Sequence, residues 1–540
     1  MSAVLLIATV LVPLAMALGC ISARWRRHVP GALPFAPAPG LLAAVFAADT
    51  PPLVLNERLD LSFALDLPGA LLLGASALLW IGAGAYVRAY LRTDRALGGF
   101  SIFWLLTLAG SLGVFLAGDL ASFYVLYALV SLAAGGLVAH DRTAKAWRAT
   151  GIYLALAILS EVLLLLGFAM LAVPAPGTSL AIDHVLAAWR TAPLRDLTLG
   201  LLVAGFGLKM GLLPLHVWLP IAHPAAPMPA SAVLSGAIVK AGVIGLIRFL
   251  PGDVLPGWGG VLLALGFATA FYAVAIGVTQ RNPKTVLAYS TVSQMGVVAT
   301  LLGLGLQSGA AAAPAVTAFY AVHHILAKGA LFLAVGVMAA TGVRKRWQVL
   351  LPASVIALGF GGLPLTGGAM AKLAGKALPA SDLTTALAAV SAIGSTALMA
   401  HFLRRLAADG APQGDMAAPA GLTLPWLTLA ALSVAVPWAL YPLLDGGPVA
   451  EAWSAVTLLD GLWPVLVGLV LVAILSALGD RLPAVPEGDI IGPALRGGGG
   501  LMRRMEPPLL RIECAVRRWP VAATAVVGLV VAFGVAMAAR

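Results

Sequence analysis

One apolar run after another, each long enough to cross a bilayer, decides what this chain can be. About 20 apolar residues span the hydrocarbon as a helix. Such runs fall at 3–22, 31–49, 68–92, 99–117, 119–139, 149–173, 196–219, 227–250, 257–279, 285–306, 313–341, 347–375, 383–405, 422–443, 459–479 and 519–538. Pro34, Pro37 and Pro39 interrupt the second. The reading is an all-α polytopic membrane protein with about 14–16 transmembrane helices. Composition agrees: 61% of the residues are hydrophobic and 10% charged, against about 25% charged in soluble domains.

The formal charge of +11 would suit nucleic acid, but the basic residues lie in short loops between apolar runs, and no nucleic-acid partner is expected. Odd-to-even connections carry Arg24, Arg26 and Arg27, then Arg92 and Arg95, Arg142, Lys145 and Arg148, Arg281 and Lys284, Arg344 to Arg346, Arg404 and Arg405, and the basic stretch 480–518. The other connections carry mainly acids, among them Glu57, Asp60, Asp66, Asp183, Asp253, Asp382 and Glu451. By the positive-inside rule the basic side is cytoplasmic and both termini are outside, in a bacterial-type inner membrane. Cys20 closes the lipoprotein-like ALGC, but no basic residue precedes that run and three arginines follow it, so it reads as a retained span.

Cys20 and Cys514 are the two cysteines, with no CxxC or Cys/His cluster, and no glycine-rich phosphate loop follows a strand. No metal, iron–sulfur cluster or other cofactor is expected. Residues 55–67, LNERLDLSFALDL, alternate like a short hairpin, and 182–190, IDHVLAAWR, like a brief amphipathic interfacial helix. The stretch 480–518, with four glycines and Pro507–Pro508, is expected to lie along the cytoplasmic interface.

Residues 205–249 stand apart: GFGLKMGLLPLHVWLPIAHPAAPMPASAVLSGAIVKAGVIGLIRF. Pro214, Pro220, Pro224, Pro227 and Pro229 remove backbone donors and interrupt the helix. Freed carbonyls at membrane depth are tolerated only when buried in protein or lining a wet cavity. Lys209 and Lys240 flank this break, and His216 and His223 lie in it. Glu161, His324, Lys328 and Lys372 also fall inside apolar runs. Each lysine at the bilayer centre costs about 2.5–3.5 kcal/mol, so the four together cost on the order of 10–14 kcal/mol before any pairing. Partners or water must offset that.

His324 and Lys328, four residues apart, share a helix face, while His323 is turned away by about 100°. A carboxylate beside an ammonium favours the charged form of both, and separating them favours the neutral forms. Glu161 and Lys209 are placed to switch in this way, and histidine, titrating near pH 6.5 when unperturbed, suits relay through water. The plainer readings are that Lys209 and Lys372 snorkel from helix ends, that Glu161 is a protonated acid at lipid depth, and that His216 and His223 are satisfied loop histidines. Asp119, opening a helix, reads as a cap, and His401 and Arg404 as topology signals.

The stretch KMGLLPLHVWLPIAHPAAPMPASAVLSGAIVKAGVIGLIRF resembles the antiporter-like subunits of respiratory complex I, of Mrp-type antiporters and of membrane-bound hydrogenase complexes. RNPKTVLAYSTVSQMG (281–296), YAVHHILAKGALFLAVG (320–336) and GLPLTGGAMAKL (362–373) follow in the order of that family, whose likeness covers about 60–450. The resemblance implies two inverted five-helix repeats, each with a broken helix, at Pro214 and Pro364. The echo of GLLPLHVW (211–218) in GGLPLTGG (361–368) agrees with this. The domains are then 1–98, three helices with the hairpin-like loop; 99–250, the first repeat; 257–406, the second; and 407–540, the C-terminal helices with 480–518.

The resemblance also implies roles. Lys209 matches the lysine of the first broken helix and Lys240 that of the following helix. His324 and Lys328 match a central relay, with Lys372 leading to the exit, and His216, His223 and His323 are further stations in water or loops. Ala128 stands where the family carries a glutamate that pairs with the first lysine, and Glu161 is expected to take its place. Asn282 and Thr285 depart from an acid and a basic residue. The expected function is proton translocation as one membrane subunit of a complex I-like or hydrogenase-type redox complex, beside other membrane subunits and with no redox chemistry of its own. The alternatives are a subunit of an Mrp-type cation/proton antiporter, where sodium is a second possible ion, or the membrane partner of a gradient-driven inorganic-carbon uptake complex. A structural scaffold is a further alternative, against which the lysines argue. The short, broken 480–518 stretch argues against the long lateral helix of the largest complex I antiporter-like subunit.

Overall fold

The computed structural model describes residues 1–478 and 485–488, apart from 57–60, 93, 95, 176, 178, 251–254, 410–414 and 445–446. The chain divides into two units after Glu487, and the first is the one described. The rest of 480–518 and the predicted span 519–538 lie outside the described residues.

The first unit is helical throughout its apolar runs. It begins with α1 (Ser2–Gly19), α2 (Ala23–Arg26), α3 (Val29–Ala32) and α4 (Ala38–Phe46), the last two separated at Pro34 by a 3₁₀ turn. A hairpin follows, β1 (Leu53–Asn56) antiparallel to β2 (Leu61–Phe63), where alternation placed it. Next come α5 (Leu67–Tyr90), α6 (Leu97–Gly113), α7 (Leu120–Val138) and α8 (Ala144–Ala172). The predicted amphipathic segment is α9 (Ile182–Trp189), with Ile182, Val185 and Trp189 buried on one face. The broken region holds α10 (Arg195–Met210), α11 (Trp218–Ala225), α12 (Met228–Val233) and α13 (Lys240–Phe249). After it run α14 (Pro256–Gly277), α15 (Pro283–Ser308), α16 (Ala313–Ala339), α17 (Trp347–Gly359), α18 (Gly367–Gly375), α19 (Asp382–Ala408), α20 (Ala420–Leu440) and α21 (Ala455–Leu478).

Among the described residues, 13 helical segments are long and apolar enough to cross a membrane, and α6 and α17 are shorter apolar helices. Together they account for each run predicted up to residue 479. The run 347–375, drawn as one span, is two helices, α17 and α18.

Burial separates centre from periphery. The apolar windows of Met228–Phe249 and Ala313–Ala339 are 100% buried and that of Pro283–Ser308 is 94% buried, against 28% for α1 and 22% for α21. The lysine-bearing helices α13, α15 and α16 therefore form the interior, and α16 packs against α5, α15, α18 and α20. Small residues permit close crossings. A Cβ added at Gly296 of α15 would come within 2.5 Å of the Gly266 carbonyl oxygen of α14, so only glycine fits there.

Caps fix several helix starts. Asp119 accepts from the Ser122 N–H at 2.8 Å, as its position implied, and also from the Ser62 N–H of β2 at 2.8 Å, joining the hairpin to α7. Between α5 and α6, Asp94 Oδ2 lies 2.7 Å from Nε2 of His140, which follows α7, and the Ala96 N–H donates to Asp94 Oδ1 at 2.6 Å. Burial alone would raise the Asp94 carboxyl, but the Ala96 N–H, His140 and Arg142 outweigh it and hold it below the usual carboxylate value. A depressed carboxyl stabilises the fold above its unfolded pKa, and that stability is lost as pH falls through the folded value. Asp94→Asn should therefore lower the thermal unfolding midpoint at pH 7, and the difference from wild type should vanish in acid below the ordinary carboxylate range, read by unfolding in detergent at both pH values.

Candidate functional site

The first break begins at Gly211, whose left-handed φ of +82° ends α10 while its N–H caps the Gly207 and Leu208 carbonyls. Pro214 and a 3₁₀ turn at Leu215–Val217 lead into α11. A second interruption follows at Ala226–Pro227, and a π-turn at Leu234–Ile238 then presents Lys240. Such π-turns leave backbone carbonyls out of register and are frequent at functional sites.

Lys209, on the last turn of α10, is buried rather than snorkelling. Its Nζ donates to Ser131 Oγ at 2.8 Å and to the Tyr153 hydroxyl at 3.4 Å, and lies 5.6 and 5.7 Å from the ring centres of Tyr127 and Tyr153. Ring faces attract a cation in this position. Glu161 is buried nearby on α8, with Oε1 unpartnered. Among the described residues no ion pair within 4.0 Å joins it to Lys209. Ser131 contacts both groups. Ala128 sits one turn before Ser131 on α7, so a serine hydroxyl holds the lysine where a glutamate was expected.

At the centre, Lys240 Nζ lies 2.5 Å from His324 Nδ1 and donates to the Ser235 carbonyl of the π-turn at 3.2 Å. When Nδ1 accepts from a protonated Lys240, the proton of a neutral His324 ring sits on Nε2, and that nitrogen has no partner among the described residues. Lys328 Nζ donates to the Leu287 carbonyl at 3.3 Å and stands 4.8 Å over the Phe360 ring. The His323 and His324 rings lie 4.9 and 6.0 Å from that same ring. Phe360 ends α17, so the second break abuts the two histidines and Lys328.

That second break runs from Phe360 to Thr366 and contains Pro364, with positive φ at Gly362 (+98°) and Leu365 (+63°). Lys372 of α18 is half-buried and donates to the freed Gly361 carbonyl at 2.5 Å. His216 is buried against Tyr272 and Tyr289, with ring centres 5.3 and 6.3 Å away. His223 is buried and stacked on Phe332 at 4.6 Å, and neither of its ring nitrogens has a partner among the described residues.

Lys284 corrects the sequence reading, which placed it among exposed loop charges. Pro283 is already inside α15, so Lys284 belongs to the helix's first turn, where it is buried. Its Nζ donates to the Ala226 carbonyl, freed where α11 ends. The proline at the first helical position was the signal available in the sequence. His223 lies within electrostatic reach of both Lys284 and Lys328. Glu487 covers the outer side of this corner: it pairs with Lys145 at 3.0 Å and accepts from the Thr285 hydroxyl at 3.3 Å. No group of three or more metal-ligating side chains is present among the described residues.

The NADH:quinone oxidoreductase/Mrp antiporter transmembrane family matches residues 117–392. That is half of the chain, and the chain belongs to this family. NADH-quinone oxidoreductase subunit N of Desulforudis audaxviator is 34% identical over 50% of this chain and 54% of its own. Na(+)/H(+) antiporter subunit A1 of Staphylococcus haemolyticus is 30% identical over 58% and 42%, and hydrogenase-4 component B of Escherichia coli 29% over 52% and 44%. The chain spans about half the length of the curated relatives it matches. In fold, it superposes on the Mrp complex of Dietzia sp. DQ12-45-1b with a TM-score of 0.75, at 22% identity, covering 100% of this chain and 63% of the other. An archaeal membrane-bound sulfane sulfur reductase gives 0.69, also at 22%, covering 86% and 99%. The chain is an antiporter-like membrane subunit of the complex I, Mrp and hydrogenase type.

The second break leaves no room at Gly368, where an added Cβ would meet the Gly359 carbonyl oxygen at 2.0 Å and His323 Nε2 at 3.0 Å. Gly368→Ala should lower stability by about 1–3 kcal/mol, read as a reduced denaturation midpoint in detergent. An unchanged midpoint would show that α18 does not press on α17 this closely.

Proposed function

We propose that the chain translocates protons as one membrane subunit of a complex I-like or hydrogenase-type redox complex. Glu161, Lys209, Lys240, His324, Lys328 and Lys372 form the relay, with His216, His223 and His323 linked to it through water. The observation that carries this reading is the 2.5 Å contact between Lys240 Nζ and His324 Nδ1, fully buried between two helix breaks. A proton passed from Lys240 to Nδ1 makes an imidazolium that can release one from Nε2, toward the side where Lys328 lies one turn along α16. Lys372, at the second break, is the next basic group outward. Lys284 and His223 connect the corner near Lys145 and Glu487 to Lys328, so we assign Lys284 an intake role on the basic, cytoplasmic face, with both termini on the outer side. The electron chemistry belongs to partner subunits.

The test is proton flux of the intact complex in sealed proteoliposomes, followed with a pH-sensitive dye. Lys240→Gln and His324→Ala should each reduce flux tenfold or more, given the roughly 10²–10⁴-fold contribution of a positioned proton-transfer group, with the complex still assembled. Wild-type flux in both would overturn the relay.

A second reading, a subunit of a cation/proton antiporter or of a gradient-driven carbon-uptake complex, is favoured by one feature: Ser131 and two tyrosines hold Lys209 in place of a direct carboxylate partner. Glu161→Gln separates the cases. If Glu161 serves Lys209 through Ser131, flux should fall several-fold. Unchanged flux removes Glu161 from the path, and a flux that requires added sodium or potassium identifies an antiporter.

A further inference from the structure

Far from the relay lysines, a narrow apolar slot of about 380 Å³ opens between the C-terminal end of α16, the start of α17 and the start of α20. Val337, Val349, Leu424, Trp426 and Leu427 line it, together with the polar Thr341, Gln348 and Thr423. Next to Thr341 the Gly342 N–H donates to the Met416 carbonyl at 2.9 Å, tying the turn after α16 to the segment that enters α20. This turn carries Arg344, Lys345 and Arg346. Arg344 is exposed, and Lys345 is 3.9 Å from Asp415. Trp347, Leu351 and Leu424 are all exposed on the flanks. A tryptophan beside a basic cluster, with bare leucines beyond it, is the order of groups found from headgroup level into hydrocarbon.

We propose that this slot binds one anionic phospholipid, an acyl chain in the groove and the phosphate at Arg344 and Lys345. Two observations favour that occupant. The slot is mostly apolar, and the basic turn 344–346 follows closely on its lining residue Thr341, the charge complement of a lipid phosphate above its chain. It is too small for a partner helix, one turn of which fills about 400–600 Å³ with its side chains, while it lies within the roughly 300–1,000 Å³ of small-molecule sites. The inference is independent of the relay.

The experiment uses the intact complex in phosphatidylcholine nanodiscs doped with phosphatidylglycerol, with lipid retained on release measured by native mass spectrometry. Wild type should retain phosphatidylglycerol over phosphatidylcholine. Arg344→Gln with Lys345→Gln should weaken that retention about fivefold per charge removed. Ala420→Phe, at an exposed position lining the slot, should abolish it with the charges intact. Equal retention of the two lipids by wild type, or full retention by Ala420→Phe, would overturn the proposal. So would a photocrosslinker at position 424 that captures a neighbouring subunit instead of lipid.

Discussion

An ammonium group inside a membrane protein must find oxygen, and regular helices offer little because their carbonyls are already engaged. Four of the buried or half-buried lysines meet this demand with backbone. Lys240 uses Ser235 in the π-turn, Lys284 uses Ala226 at the end of α11, Lys372 uses Gly361 in the second break, and Lys328 uses Leu287. Three of those acceptors exist because a helix is interrupted. At these three interruptions the break and the lysine are thus one feature: a freed carbonyl that would be costly in lipid is satisfied by a nearby lysine. Lys209 is the exception, held by side chains and aromatic faces.

This arrangement explains why the centre of the molecule is its most tightly buried part. Helices α13, α15 and α16 carry charges that tolerate no lipid, so less polar helices such as α1 and α21 enclose them and expose their own apolar residues instead. Close crossings such as Gly266 against Gly296 keep that enclosure dense without large side chains. Around Lys240, Lys328 and Lys372 there is no carboxylate ion pair among the described residues, so the positive groups depend on carbonyls, rings and one another.

The spans, the hairpin at 53–63 and the short helix α9 were legible because each depends on local periodicity and on the cost of polar backbone in lipid. The six residues proposed as a relay stood out for the same reason, being ionisable groups inside apolar runs. Lys284 was not legible as a buried group, since a basic residue just past a loop looks like a topology charge until the helix register turns it inward. The role of Ser131 was also hidden: a serine in an apolar helix carries no signal that a lysine from another helix will reach it. The Glu161–Lys209 pairing, expected from chemistry alone, becomes in space an arrangement through that serine.

The amino-acid sequence by itself determined that this chain crosses the membrane many times, where its helices break and which side chains cost too much to be there without purpose. These follow from hydrophobicity, proline and charge, read one residue at a time. Which nitrogen faces which oxygen was decided only by tertiary structure: Lys240 against His324, 84 positions away, and Lys284 against a carbonyl 58 positions before it. Contacts of that range depend on how helices rotate and cross as they pack, and hydrophobic pattern leaves those angles open.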